Sequence, residues 1–196
     1  MKNIDFFQEP DSQSKIIASS GPFLVEFMKY VGTNDYNSLI EISKSLEEEY
    51  GKAAKLTPNT IQTYFNRSGS LPFIARHQHE IIGYMIGVPL ELLSQEPWAR
   101  LDKNFGEKNT IYTHAFVIMK QYKGNGYAKM LKKVYLNWIR KKGNIFYVTG
   151  HVKQGIASRF NGKIQIIESI KNWQGTGKTF EYYRRELDPE NIYGNT

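Results

Sequence analysis

The chain has 196 residues, 40% of them hydrophobic, a formal net charge of +7 and no cysteine. That length suits one core of ordinary size, and the missing cysteine excludes a disulfide framework, thiolate metal sites and a cysteine nucleophile. No run of about 18 apolar residues occurs, and residues 1–20 mix charge, Pro and Ser, so neither a membrane span nor a leader is expected. The chain reads as soluble and cytoplasmic, one domain over residues 1–196 with a loosely ordered first twenty.

In chain order, a strand is predicted over residues 23–31. Residues 36–50 predict a helix with Leu39, Ile42 and Leu46 on one face, stopped by Gly51. Thr57 and Pro58 open a second helix carrying Ile61, Tyr64 and Phe65, because Thr caps and Pro fits the first turn. Residues 71–77 and 81–88 read as a strand pair around a short polar turn, Gln78-His79-Glu80. Residues 89–109 read as irregular and partly helical. Residues 111–119 are rich in β-branched and aromatic side chains and predict a largely buried strand. Beyond the run Lys123-Gly124-Asn125-Gly126-Tyr127-Ala128, the positions Tyr127, Met130, Leu131, Val134, Trp138 and Ile139 recur at helical spacing. A strand over 145–152, a short helix near 154–160 and strands over 164–170 and 179–187 complete the series.

A strand, a glycine turn and a helix start bring unpaired backbone N–H groups and the positive end of a helix dipole to one point, which suits a phosphate. Charge supports this. From Asn109 to Ile167 there is no Asp or Glu, while eleven Lys and Arg fall in that window, more than the chain's whole excess of +7. The basicity is therefore local and suits a polyanionic ligand, although the lysines off the apolar stripe also fit a solvated helix face. Two nucleotide motifs are not met. A dinucleotide fingerprint needs a third glycine where Lys129 stands. The run Gly175-Thr176-Gly177-Lys178-Thr179 mimics the end of a P-loop, but Asn172 occupies its first glycine position and a strand-like segment follows.

With these elements in this order, the chain resembles the GNAT superfamily of N-acetyltransferases, most sharply from Thr110 to Ala128. That family's acyl-coenzyme A motif is Arg or Gln, two residues, Gly, one residue, then Gly or Ala. Residues 123–128 fit it with Lys123 in the basic position, and residues 121–126 fit it literally. The resemblance implies an α/β (α+β) fold with a mixed, mostly antiparallel sheet of about seven strands flanked by about four helices. It implies direct attack of a primary amine on acetyl-coenzyme A, with no metal. The pyrophosphate would lie on Lys123, Gly124, Asn125, Gly126, Tyr127 and Ala128, and the pantetheine along Phe116, Val117 and Ile118. Gln154, Ser158 and Arg159 would complete the coenzyme site.

Proton transfer departs from the family pattern. Members often carry Asn, two residues, Ala, two residues, an apolar residue and a Tyr that protonates the leaving thiolate. Here Gln154 replaces the Asn and Asn161 replaces the Tyr, so the acid is expected to be Tyr182, Tyr183, water or a residue that the motif does not identify. The strand over 111–119 offers no acid, but His114 lies within it and His151 ends the next strand; both suit a base near neutral pH. Each also fits a structural role, and His77 and His79 read as solvent-facing. Glu91, Glu168 and Glu181 are the acids nearest the sheet ends. Tyr36, Tyr64, Trp98, Trp173, Tyr182 and Tyr183 are the aromatics available to an acceptor pocket. The acceptor is expected to be a small-molecule or peptide amine, and a homodimer is allowed. The rival class is a nucleic-acid-binding or regulatory coenzyme A-binding module without catalysis.

Overall fold

The computed structural model describes residues 10–187. In chain order these form β1 (Gln13–Ser20), β2 (Phe23–Tyr30), α1 (Thr33–Tyr50), α2 (Pro58–Tyr64), β3 (Leu71–His77), β4 (Glu80–Pro89), α3 (Pro97–Leu101), β5 (Thr110–Ile118), α4 (Tyr127–Arg140), β6 (Tyr147–Lys153), β7 (Ile164–Ile170) and β8 (Phe180–Glu186). The strands make one sheet in the order β1-β2-β3-β4-β5-β6-β8-β7. Only β5 and β6 are parallel neighbours; the other pairs are antiparallel.

Local chemistry explains the boundaries. Gly51 ends α1 at φ 97°, donating its N–H to the Glu47 carbonyl, a conformation glycine adopts without a Cβ clash. Thr57 and Thr60 cap α2 reciprocally, each side-chain oxygen accepting from the other's backbone N–H at 2.7 and 3.2 Å.

Period-two alternation sorts the strands' side chains onto two faces. Ile74, Tyr84, Ile86, Tyr112 and Tyr182 pack under α1, α2 and α3 with Leu39, Ile42 and Ile61. Phe73, Met85, Ile111 and Val148 pack under α4 with Leu131, Tyr135 and Ile139. Two expectations need correction. The sheet has eight strands because residues 13–20 pair along β2; as an edge strand exposed over most of its length, β1 lacks an apolar alternation. The helix expected near 154–160 is only a 3₁₀ turn, Ala157–Arg159, because Gly155 sits at φ 82° and Phe160 returns to extended backbone.

Candidate active site

β5 and β6 pair for only three residues, Thr110 with Tyr147, Ile111 with Val148 and Tyr112 with Thr149. Each strand then follows its outer neighbour, β5 staying on β4 to Ile118 and β6 on β8 to Lys153. The edge of β5 facing β6 therefore carries no strand beyond Tyr112. A bulge falls just there: Thr113 pairs with Gly87 and Ala115 with Ile86, leaving His114 as the extra residue. Gly87 is required opposite the bulge, since a Cβ would stand 2.4 Å from the Tyr135 hydroxyl. That hydroxyl lies 3.2 Å from Thr113 Oγ1, which pins α4 to the bulged strand.

The free edge of β5 runs into the glycine loop. Residues 120–122 make one 3₁₀ turn, and Asn125 Nδ2 donates to the Tyr122 carbonyl at 3.2 Å. Gly124 and Gly126 both have left-handed backbone, at φ 88° and 78°, and a Cβ on either would meet no atom within 4 Å. Packing does not demand these glycines; the backbone turn and the open space outside it do. Gly126 is the N-cap of α4, with no side-chain cap and no acid in the first turn. The first N–H groups of α4 thus point outward without an intrahelical acceptor.

Where the strands part, a cavity of about 190 Å³ crosses the sheet. Leu46, Leu56 and Tyr64 line it on the α1 and α2 side, and Lys132 and Phe160 on the α4 side. Residues 112–116 and 150–152 form its waist, so both candidate histidines reach it. The His114 ring stacks on Tyr64 at 3.7 Å, and burial lowers its pKa to about 4. His151 is buried at 6% exposure. Its Nδ1 lies 3.0 Å from the Tyr112 hydroxyl, its ring stacks on Trp173 at 4.0 Å, and its Nε2 has no partner. Burial lowers its pKa to about 3, so both imidazoles are neutral at physiological pH.

Tyr182, expected as a catalytic residue, turns its hydroxyl to Asp102 Oδ2 at 2.6 Å and does not line the cavity. Arg184 Nη2 donates to the other Asp102 oxygen at 2.6 Å, so one buried carboxylate ties α3 to β8 beneath the His151 ring. Its neighbour Tyr183 does line the cavity, against Gly150. Helical spacing alone places Lys132 off the apolar stripe of α4, on a solvated face, yet it lines the cavity. Its ammonium sits 3.9 Å from the centre of the Phe160 ring. Burial first, and nearby Arg185 second, lower its pKa to about 8. A lysine beside the apolar stripe of α4 was the available signal, but spacing alone does not tell cavity from solvent.

The coenzyme candidates divide into two groups. Phe116, Val117 and Ile118 lie on the free length of β5, and residues 123–128 form the exposed loop and helix start. Gln154, Ser158 and Arg159 stand apart, exposed after β6, with the Ser158 hydroxyl donating to the Gly155 carbonyl. Glu91 accepts from the N–H groups of Gly106 and Lys108, Glu168 is exposed, and Glu181 Oε2 is buried without a partner; none lines the cavity. Among the expected aromatics, Tyr64, Trp173 and Tyr183 line it, while Tyr36 belongs to the core and Trp98 packs behind Tyr112 and His151. His79 is exposed, and His77 is half-buried against Tyr122 and Tyr127.

The site is thus a sheet forked between two parallel strands, with a glycine loop and an uncapped helix at the end of one branch. The profile of the Acetyltransferase (GNAT) family matches residues 37–160, and the chain belongs to that family, whose members transfer acetyl groups from acetyl-coenzyme A. Among solved structures, NAA60 of Arabidopsis thaliana in complex with a bisubstrate analogue superposes with a TM-score of 0.62 at 15% identity, over 84% of this chain and 99% of that one. The ribosomal-protein-S18-alanine N-acetyltransferase of Escherichia coli gives 0.59 at 11% identity, over 85% and 94%. The protein yncA of Salmonella typhimurium, solved with its cofactor acetyl-CoA, gives 0.60 at 14% identity, over 85% and 95%. These likenesses concern the fold. No curated protein sequence matches the chain.

Proposed function

We propose that this chain is an N-acetyltransferase that moves the acetyl group of acetyl-coenzyme A directly onto a primary amine, both bound at once in the fork between β5 and β6. One observation carries the reading: the unpaired edge of β5 leads, through one 3₁₀ turn at residues 120–122, into two left-handed glycines and an uncapped helix N-terminus. Such a row of free backbone donors suits an extended ligand ending in phosphates. Phe116, Val117 and Ile118 hold the pantetheine arm by backbone pairing. The N–H groups of residues 124–128, with the Lys123 charge, hold the pyrophosphate. Gln154, Ser158 and Arg159 flank the arm from the other branch.

A backbone N–H beside the His114 bulge polarises the thioester carbonyl and stabilises charge as it grows on that oxygen. Both reactants held at the fork supply proximity, and the chain contributes no nucleophile of its own. His114, neutral and without a hydrogen-bond partner among the described residues, accepts the proton of the attacking nitrogen. His151 supplies a directional contact through Nε2, and Tyr182 positions it by fixing Asp102 below. Lys132 gives a proton to the departing thiolate, from a site next to Phe160 and so adjacent to Asn161, where the family pattern has Tyr. Its pKa of about 8 lies close to the ~8.5 of an ordinary thiol, so the transfer is nearly balanced.

The test incubates the chain with acetyl-coenzyme A and a mixture of primary amines, and follows coenzyme A release and product mass. Acetylated amine is expected. A chain that binds the coenzyme yet yields no product in any mixture contradicts the reading. RNA binding that falls steeply with salt, without acetylation, favours the nucleic-acid class instead.

A further inference from the structure

On the α1 and α2 side the cavity wall is Leu46, Tyr50, Ala53, Ala54, Leu56 and Tyr64, closed by Trp173 from the connection between β7 and β8. No Asp or Glu lines the cavity among the described residues. Of the nearby acids, Glu47 pairs with Lys55 at 3.3 Å, Glu96 accepts from the Trp98 indole at 3.2 Å and Asp102 serves Tyr182 and Arg184, while Glu49 and the buried, unpartnered Glu181 stand off the lining. The ionised side chains on the lining are cations, Lys55 and Lys132, since both histidines are neutral.

An ammonium entering this space sheds its water against apolar wall and finds no counter-ion, whereas a free amine on an apolar body loses little and buries its carbon surface. A second positive charge on the acceptor meets Lys132 as well, Lys55 being paired with Glu47. Shape adds to charge. Two near-parallel stacks border the space, Trp173 on His151 at 21° between ring planes and Tyr64 on His114 at 27°. Flat walls of this kind favour a flat guest. The His151 Nε2 on the Trp173 side is buried and unpartnered, and a buried polar atom gains from any partner brought to it.

We infer that the acceptor is a small primary amine on an aromatic body with no second positive charge, lying between the Trp173–His151 and Tyr64–His114 stacks. This names the acceptor within the acetyl-transfer reading and rests on it. Polycationic amines are excluded by the same walls.

Coenzyme A release with phenylethylamine, hexylamine and spermidine tests the inference. It is run beside quenching of tryptophan fluorescence by the same amines in the presence of unacetylated coenzyme A, with Trp173→Phe assigning the signal. Phenylethylamine is expected to exceed spermidine in kcat/KM by roughly tenfold or more, with hexylamine between them. The Ala53→Glu variant, which adds a carboxylate at an exposed wall position, is expected to narrow that gap. Spermidine equal to or better than phenylethylamine overturns the inference while leaving acetyl transfer intact. Phenylethylamine that quenches Trp173 but releases no coenzyme A supports the aromatic-amine site and removes the transfer reading.

Discussion

The Tyr112 hydroxyl stands 3.0 Å from Nδ1 of His151, bridging β5 and β6 just past their last paired residues, Tyr112 and Thr149. Burial holds the Tyr112 phenol protonated, so with Nδ1 as the acceptor Tyr112 donates and the His151 proton resides on Nε2. The bond therefore fixes the fork and the imidazole tautomer together.

Tyr112→Phe removes that donor and leaves a buried nitrogen unpaired, at a cost of about 1–3 kcal/mol. The melting temperature is expected to fall by several degrees and kcat/KM to drop with it, measured by thermal unfolding and coenzyme A release. An unchanged melting temperature and turnover would show that the bridge holds nothing in place.

Stability should decline in acid for a specific reason. His114 and His151 take up protons at about 4 and 3 when folded, against ~6.5 in the unfolded chain. Between those values the unfolded state binds more protons, so stability is full above about 6.5 and is lost as pH falls toward 4. Thermal melts across that range are expected to show the loss, and His151→Phe to flatten it. A His151→Phe curve parallel to wild type would mean that the ring is not buried as described.

Lys132 must be protonated to give a proton, so activity should fall as pH rises through about 8. Lys132→Met is expected to lower kcat while sparing the affinity for acetyl-coenzyme A, and to abolish the alkaline fall. A thioester with a more acidic leaving thiol should restore much of the loss, because that thiolate needs no proton. A variant whose pH profile keeps its alkaline limb would remove Lys132 from the proton path.

Much of the fold was legible where hydrophobic period and end signals agree, as in α4 with its apolar stripe and α2 with Thr57 and Pro58. β1 was not, because an edge strand exposed over most of its length needs no apolar alternation. The donor loop was legible because glycines at 124 and 126 and the acid-free window report on backbone and charge, both local properties. The roles around the fork were not. Whether Tyr182 or Tyr183 faces the cavity depends on a strand's phase against its neighbours, and Lys132 reads as a surface lysine until Phe160 is brought across it. His114 was readable as a strand residue, but its place as the extra residue of a bulge is set by pairing with β4.

Calorimetric titration of acetyl-coenzyme A into the wild-type chain and into Gly126→Asn tests the donor site most directly. Asn tolerates left-handed backbone, so the variant should keep the wild-type melting temperature while its side chain occupies the open space and competes for the first N–H groups of α4. Saturable binding by wild type, weakened about tenfold or more in the variant, is the predicted result. Equal affinity in the two chains, or no binding heat from wild type, would contradict a coenzyme cradle at residues 123–128.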